Sequence, residues 1–408
     1  MNKIEPLYIE DYDYELPDTK IAKYPLAQRD ESKILVVKDK KLIDANYKDI
    51  ANFLPEHAFL VFNQTKVIPS RLFFKNLHQA TIEIFCLSPY NESIDTTISL
   101  AQKGKAQWKC LIGKKSKWRE DVLTLHIDCV IIYASILKEE HGNIIVEFTW
   151  KPPEMTFAEI LHIAGNMPIP PYLNRPYEAL DKEVYQTIFA KQEGSVAAPT
   201  ASLHFTETIF ETLKSKHIQY DFVSLHVGAG TFLPVKTNNV HEHVMHSEQL
   251  IIDLGFIKNI TNHIENKRPV FAVGTTSLRT LETLYCIAFR FFNKEIESFE
   301  HIEIGQWDIY DSNMNTSPCV VLKYLIQKME TEKQQQIICR TKIMITPNYK
   351  PQMVQGIITN FHQPKSTLLL LISSFLGSFW KSVYQYALNN EYRFLSYGDG
   401  CLIYLHTS

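Results

Sequence analysis

The chain has 408 residues, of which 45% are hydrophobic and 21% charged, with a formal net charge of -3. That length leads us to expect two or three domains and allows a large core without covalent staples. The charge balance excludes a globally basic nucleic-acid binder, so any RNA site must be a local patch.

The first elements read as a short arm and a strand at Ile34–Val37, then a strand at Phe59–Phe62 ending in the turn-like Asn63-Gln64-Thr65. From about Arg71 to Trp150 the texture changes to short β-rich runs: Thr81–Leu87, Thr96–Leu100, Trp108–Ile112, Val122–Ile127, Val130–Ser135 and Ile144–Trp150. Turn-formers such as Pro89, Asn91, Gly113 and Gly142 separate them. Regularly spaced short strands predict a small antiparallel barrel or sandwich. Lys151-Pro152-Pro153 closes the segment, because two prolines cannot continue a central strand.

Beyond it, helices and strands alternate. Phe157–Ala164 reads as a helix, and MPIPPY (167–172) as extended chain. Thr206 is placed to cap a helix whose apolar face holds Ile209, Phe210 and Leu213. A strand at Tyr220–Val227 runs into a glycine turn. A second unit follows: strand Val270–Val273, turn Gly274-Thr275-Thr276 and a helix from Ser277. Alternating strands and helices predict an α/β main domain from residues 1–70 and 151–408, with residues 71–150 as an inserted small antiparallel β-barrel domain. Glu330–Gln336 reads as a solvated helix end or loop. The most apolar run, Leu368 to Ile372, falls short of the roughly 18–20 residues that span a bilayer and reads as a buried helix or strand.

The seven cysteines (86, 110, 129, 286, 319, 339 and 401) form no CxxC pair or zinc-like spacing, which reads as reduced thiols in a cytoplasmic protein. The N-terminal MNKIEPLYIEDYDYE lacks an apolar signal core. Only 14 glycines occur, so their clusters are informative. Gly228-Ala229-Gly230-Thr231 follows a strand and Gly398-Asp399-Gly400 lies near the C-terminus. Each is either a tight turn or a close approach to a ligand. At Gly274, Thr275, Thr276 and Ser277, free amides at a helix start and three hydroxyls make either an anion site or a helix cap. The GxxxxGK[ST] pattern is absent, so a P-loop nucleotide triphosphatase is rejected. His241, His243 and His246 are spaced by two and three, which does not stack them on a helix face as metal ligands, and no metal is assigned. Acid–base chemistry suits histidine better. Lys103, Lys105, Lys109, Lys114, Lys115, Lys117 and Arg119 fall within 17 positions with no acidic residue between them, and Trp108 and Trp118 interleave. That cluster reads as an RNA-tracking patch with aromatics for stacking, or as solvated hairpin turns.

Several long strings occur together in order: LVFNQTKVIPSRL (60–72), MPIPPY (167–172), YQTIFAKQEGSVAAPTASLHF (185–205), LHVGAGTFLPV (225–235), MHSE (245–248), VGTTSLRTLE (273–282), TNFHQPKSTLL (359–369) and YRFLSYGD (392–399). Over nearly its whole length the chain resembles the S-adenosylmethionine:tRNA ribosyltransferase-isomerase family. The resemblance implies an α/β main domain with an inserted β-barrel. It also implies transfer and isomerisation of the ribosyl group of S-adenosylmethionine onto 7-aminomethyl-7-deazaguanine at the tRNA wobble position. Epoxyqueuosine-tRNA forms, and adenine and methionine leave. S-adenosylmethionine is the co-substrate, no other cofactor is expected, and the partner is a tRNA anticodon loop.

That reaction needs a base at the carbon beside the sulfonium, a proton for departing adenine and a neutral substrate amine. His204, His226, His243, His246 and His362 fall inside the matching strings, with Glu248 and Asp399 as carboxylate candidates. His246 is preferred, since Glu248 two residues on shares its face in an extended segment and can hold its tautomer. The donor is expected between Gly228, Gly230 and Thr231 on one side and the Gly274–Ser277 helix start on the other, with Arg279 available to its carboxylate. Lys66 and Arg71 join the lysine cluster as RNA candidates. The chain departs from the family pattern at Lys33 and Lys66, where arginine is usual, at Ser202 and Asn348, where glycine is usual, and at Gly400-Cys401. Lysine loses the bidentate geometry of arginine. The stretch around 295–340 is longer than in shorter members. The rival readings are another S-adenosylmethionine-dependent RNA-modifying enzyme, which lacks its glycine-rich loop here, and a catalytically weak tRNA-binding relative.

Overall fold

The computed structural model describes residues 6–91, 95–140, 143–228, 230 and 235–405. In chain order it forms β1 (Lys33–Lys38), β2 (Lys41–Asn46), β3 (Phe59–Asn63), β4 (Thr65–Val67), β5 (Arg71–Lys75), β6 (Thr81–Pro89), α1 (Thr96–Leu100), β7 (Lys105–Gly113), β8 (Leu123–Ile127), β9 (Val130–Glu140) and β10 (Asn143–Lys151). Then come α2 (Phe157–Ala164), α3 (Asp181–Val184), β11 (Gln192–Ser195), α4 (Glu207–Ser215), β12 (Gln219–His226), β13 (Glu248–Asp253), α5 (Leu254–Glu265), β14 (Val270–Val273) and α6 (Thr275–Phe292). The chain ends with β15 (Ile302–Ile304), α7 (Pro318–Thr331), β16 (Gln336–Thr341), β17 (Gly356–Asn360), α8 (Thr367–Leu376), α9 (Trp380–Asn389) and β18 (Gly400–Tyr404).

Among the described residues, ten strands form one mixed sheet in the order β15-β16-β13-β12-β3-β14-β17-β18-β1-β2. Its centre, β12-β3-β14-β17, is parallel. The continuous apolar run of β3 suits a strand covered on both faces. Side chains alternate across it: Phe59 and Val61 join a core with α5, α6, α7 and α8, while Leu60 and Phe62 join a second core with Phe205, Ile209 and Leu213 around α4. Thr206 caps α4 as expected, its hydroxyl accepting from the Ile209 amide. Leu369, Leu371 and Ile372 lie in the larger core. The helical stretch Thr367–Asn389 is long and apolar enough to cross a membrane by length and composition, but half of its most apolar window is buried inside the molecule.

Six strands form a second, antiparallel sheet, β5-β6-β7-β10-β9-β8, drawn from one continuous stretch of chain. Its end strands β5 and β8 approach each other, so it is nearly closed and barrel-like. It encloses its own core of Leu72, Phe74, Ile84, Trp108, Ile132 and Phe148. Phe157 from α2 plugs this core, its ring 5.3 Å from Phe148 and 5.4 Å from Trp108.

Some expectations are corrected. Thr96–Leu100, expected as a strand for its β-branched residues, is a helix, because the Asp95 carboxylate caps it by accepting from the Thr97 amide at 2.9 Å. The α6 helix starts at Thr275, two residues before Ser277. Asn348, where glycine is usual, does not take a positive φ, so the backbone there does not require glycine. Gly142 lies outside the described residues.

Candidate functional site

The parallel strands β12, β3, β14 and β17 place their carboxyl ends together, which is where open α/β sheets build ligand sites. A cleft opens there. Its lining includes Gly274, Thr275 and Thr276 after β14, Thr359 to Gln363 at the end of β17 and just beyond, the Ala197–Ala201 segment, Tyr172 and Ser396. Gly274 takes φ +89°, which turns the chain from strand into α6. Thr200 donates to Asn360 at 2.8 Å, tying two walls together. The Thr276 hydroxyl is buried with no hydrogen-bond partner among the described residues. The Ser277 hydroxyl donates back to the Val273 carbonyl at 2.8 Å, so it serves the helix.

A small recess adjoins this cleft, and Leu368 lines both. Met245, His246, Arg279, Met344 and Leu371 are among the residues that line it. Behind it lies Glu248, its side chain wholly buried. One carboxylate oxygen accepts from His246 Nε2 at 3.1 Å and from the Gly228 amide at 3.1 Å. The other pairs with Arg279. Burial by itself raises the carboxyl pKa, but Arg279, His246 and the Gly228 amide together hold it down to about 2. The acid is therefore a fixed negative charge at neutral pH. The sequence-predicted partnership of His246 and Glu248 is present in the structure, and Arg279 completes it from α6.

The glycines of the 228–230 turn have a role that local pattern did not reveal. A β-carbon on Gly228 would stand 2.9 Å from His246 Cδ2, and one on Gly230 would overlap the same ring. They admit the imidazole against the backbone. Thr231 lies outside the described residues.

The other histidines sit differently. His204 stacks on Tyr47 with ring centroids 4.3 Å apart, donates to the Arg29 carbonyl and accepts from Asn360. Burial pushes its pKa down to about 4. His362 lines the larger cleft and shares a 2.9 Å hydrogen bond with Thr359, and burial lowers it to about 3. His226 shares a 3.1 Å hydrogen bond with Thr65, and burial lowers it to about 4. All three are neutral at pH 7. His243 is half-buried and likewise lowered by burial. Asp399 lines neither cleft: its oxygens accept from the Lys33 amide at 2.9 Å and the Arg393 amide at 2.8 Å.

The lysine cluster gains counter-charges from neighbouring strands that the linear count could not show. Lys105 pairs with Glu147 at 2.6 Å and Lys115 with Glu139. Lys103 is exposed. Lys114, Lys117 and Arg119 are exposed and form no ion pair among the described residues. Trp108 is fully buried in the barrel-like core, which corrects its expected role as a stacking platform. Trp118 is half-buried and donates to the Glu120 carbonyl. Lys66 pairs with Glu193 at 3.0 Å, which also accepts from His162 at 2.8 Å. Arg71 lies 3.4 Å from Glu83 and over the Phe85 ring.

Sequence reasoning missed Asn360, Thr200 and Tyr172 as cleft residues. All three did lie in the family-matching strings, but a search for groups titrating near pH 7 passes over amides and hydroxyls. It also missed Gln306, from the long 295–340 stretch, which accepts from the Met245 amide at 3.0 Å and donates to the His243 carbonyl at 2.7 Å. That stretch therefore braces the segment carrying His246.

The profile of the family described as "Queuosine biosynthesis protein" matches residues 9–403. The S-adenosylmethionine:tRNA ribosyltransferase-isomerase of Sulfurihydrogenibium sp. is 35% identical over 400 residues, covering 97% of this chain and 99% of that protein. The protein of the same name from Halothermothrix orenii is 33% identical over 401 residues, again covering 97% and 99%. A crystal structure of S-adenosylmethionine tRNA ribosyltransferase from Thermotoga maritima is 24% identical, covers 96% of this chain and 99% of that one, and aligns with a TM-score of 0.46. On these matches the chain belongs to the queuosine biosynthesis protein family.

Proposed function

We propose that this protein transfers and isomerises the ribosyl group of S-adenosylmethionine onto 7-aminomethyl-7-deazaguanine at the wobble position of tRNA. Epoxyqueuosine-tRNA is the product, and adenine and methionine are released. The reading rests on likeness to the named ribosyltransferase-isomerases along 97% of the chain.

The site chemistry supports it. The sulfonium acidifies the neighbouring ribose carbon, and a base must take that proton. His246 fits this role: Glu248 holds Nε2, which leaves Nδ1 as the basic nitrogen. The donor lies between Gly228 and Gly230 on one side and the Gly274–Ser277 helix start on the other, with Arg279 beside it. His362, which lines the larger cleft, is a neutral group that can orient substrate atoms, while His204, His226 and Asp399 line neither cleft and act as braces.

Residues 71–150 act as an inserted β-barrel domain, an assignment supported by their continuous strands and separate core. Its exposed Lys114, Lys117 and Arg119, with Lys103, Lys105 and Lys115 nearby, face the tRNA backbone. Lys66 and Arg71, both held by carboxylates, are weaker candidates for that contact. The anticodon loop is the substrate segment, no cofactor beyond S-adenosylmethionine is needed, and the free cysteines suit a cytoplasmic enzyme.

The test is direct. Protein, S-adenosylmethionine and tRNA carrying the deazaguanine base are mixed and free adenine is measured. Adenine release supports the reading. S-adenosylhomocysteine would indicate a methyltransferase, and neither product would indicate a binding protein.

A further inference from the structure

The guanidinium of Arg279 is only partly used. Its Nε donates to the Ile343 carbonyl at 3.3 Å and one terminal nitrogen pairs with Glu248. The other terminal nitrogen is buried with no hydrogen-bond partner among the described residues. Buried donors are almost always satisfied, and a charged donor left bare is costlier than a neutral one. The side chain around it is 8% exposed and fixed at two points, so it cannot turn to water for relief. It is poised for a missing acceptor.

The recess that Arg279 lines shows the chemistry of that acceptor. Besides His246 and Thr367, its other walls are apolar, among them Met245, Met344, Leu368 and Leu371, two of them thioethers. A phosphate would find only the Thr367 hydroxyl and the His246 ring for its remaining oxygens, with apolar surface elsewhere. A carboxylate on a short aliphatic, sulfur-containing chain suits both parts: one charge-assisted hydrogen bond, then methylene and sulfur packing.

We infer that this recess receives the amino-acid end of S-adenosylmethionine, with its carboxylate on the free nitrogen of Arg279 and its side-chain methylenes between Met245, Met344 and Leu371. This inference rests on the proposed function. It places the sulfonium at the Leu368 junction beside His246, and leaves the larger cleft, with its unpaired Thr276 hydroxyl, for the ribosyl and base parts. Glu248 thereby fixes the base and the carboxylate receptor from a single buried charge.

The experiment compares equilibrium binding of S-adenosylmethionine, decarboxylated S-adenosylmethionine and L-methionine by calorimetry. Wild-type protein is expected to prefer the carboxylated donor by about 10- to 100-fold, the worth of a hydrogen bond to a charged group. In Arg279→Gln the two donors should bind with similar affinity. Because that variant leaves Glu248 without its cation and can fail to fold, Thr367→Phe provides a second arm. Thr367 is half-buried on the rim of the recess. This variant should weaken L-methionine binding at least 10-fold while adenine binding stays within a few-fold. Equal binding of both donors by wild type, or undiminished L-methionine binding by Thr367→Phe, overturns the assignment alone. Absence of any S-adenosylmethionine binding by wild type overturns the proposed function and this inference with it.

Discussion

Gly230 packs against His246 so closely that the smallest side chain would occupy the space of the imidazole ring. The turn and the histidine, 16 positions apart in sequence, are therefore one structural unit. Gly230→Ala should push the ring away from Glu248. The expected result is a loss of adenine release approaching that of removing His246, with tRNA affinity unchanged. A Gly230→Ala enzyme with wild-type turnover would show that the ring position is immaterial.

His246→Ala should lower turnover by on the order of 10²–10⁴-fold while tRNA binding is retained. The same change at His204, His226 or His362 should act more through stability and donor affinity, because those rings are buried, neutral and hydrogen-bonded to the frame. If all four substitutions leave adenine release within a few-fold of wild type, histidine catalysis is wrong.

Removing one member of the Glu248–Arg279 pair leaves the other charge buried. Glu248→Gln should destabilise the fold by about 3–5 kcal/mol. The double variant Glu248→Gln with Arg279→Met should recover much of that loss, since neither charge then remains. Chemical denaturation of the two variants measures this. Additive destabilisation would mean that the pair is not coupled.

Acid should unfold the protein in a defined window. His204, His226 and His362 have folded pKa values of about 4, 4 and 3, below the ordinary 6.5. The unfolded chain binds their protons first, so their contribution is full above pH 6.5 and is lost as pH falls toward 4 and 3. Glu248, held at about 2 against an ordinary 4.5, adds a further loss below pH 4.5. Each proton steepens the decline by about 1.4 kcal/mol per pH unit. Denaturation midpoints measured from pH 7 to 4 should fall, and less steeply in His226→Gln. A flat profile would contradict the buried neutral state.

Replacing Lys114, Lys117 and Arg119 together by glutamine should weaken tRNA binding and lower the salt slope by about one for each phosphate no longer neutralised. Lys115→Gln alone should change little, because Glu139 already balances that charge. An unchanged slope in the triple variant would return the cluster to ordinary solvated surface.

Much of this arrangement was legible from periodicity and punctuation. The expected strand at Phe59–Phe62 lies within the observed Phe59–Asn63, and Val270–Val273 is matched outright, because continuous apolar runs mark strands buried on both faces. Thr206 announced its helix by chemistry alone. Thr96–Leu100 misled because β-branched residues suit strands, while the Asp95 cap outweighs that preference locally. The site was legible as a set of residue types, but its geometry was not. The purpose of Gly228 and Gly230 depends on a ring brought back by the chain, and the charges facing Lys105 and Lys115 arrive from strands 24 or more positions away. Such information is tertiary and leaves no local period.

The order of strands also bears on biosynthesis. β1 and β2 reach the rest of the large sheet only through β18, which pairs in parallel with β1 and antiparallel with β17. β18 follows every other strand in the chain, and Asp399, just before it, fastens the Lys33 amide at the start of β1. A ribosome making this chain delivers an interior strand after both of its neighbours. The early hairpin must wait in the open until β18 emerges, and the wall of the cleft on β17 gains its last neighbour at the same moment. Slow elongation ahead of β18 would then prolong exposure of two unpaired strand edges, the state in which chaperones and aggregation compete for a nascent chain.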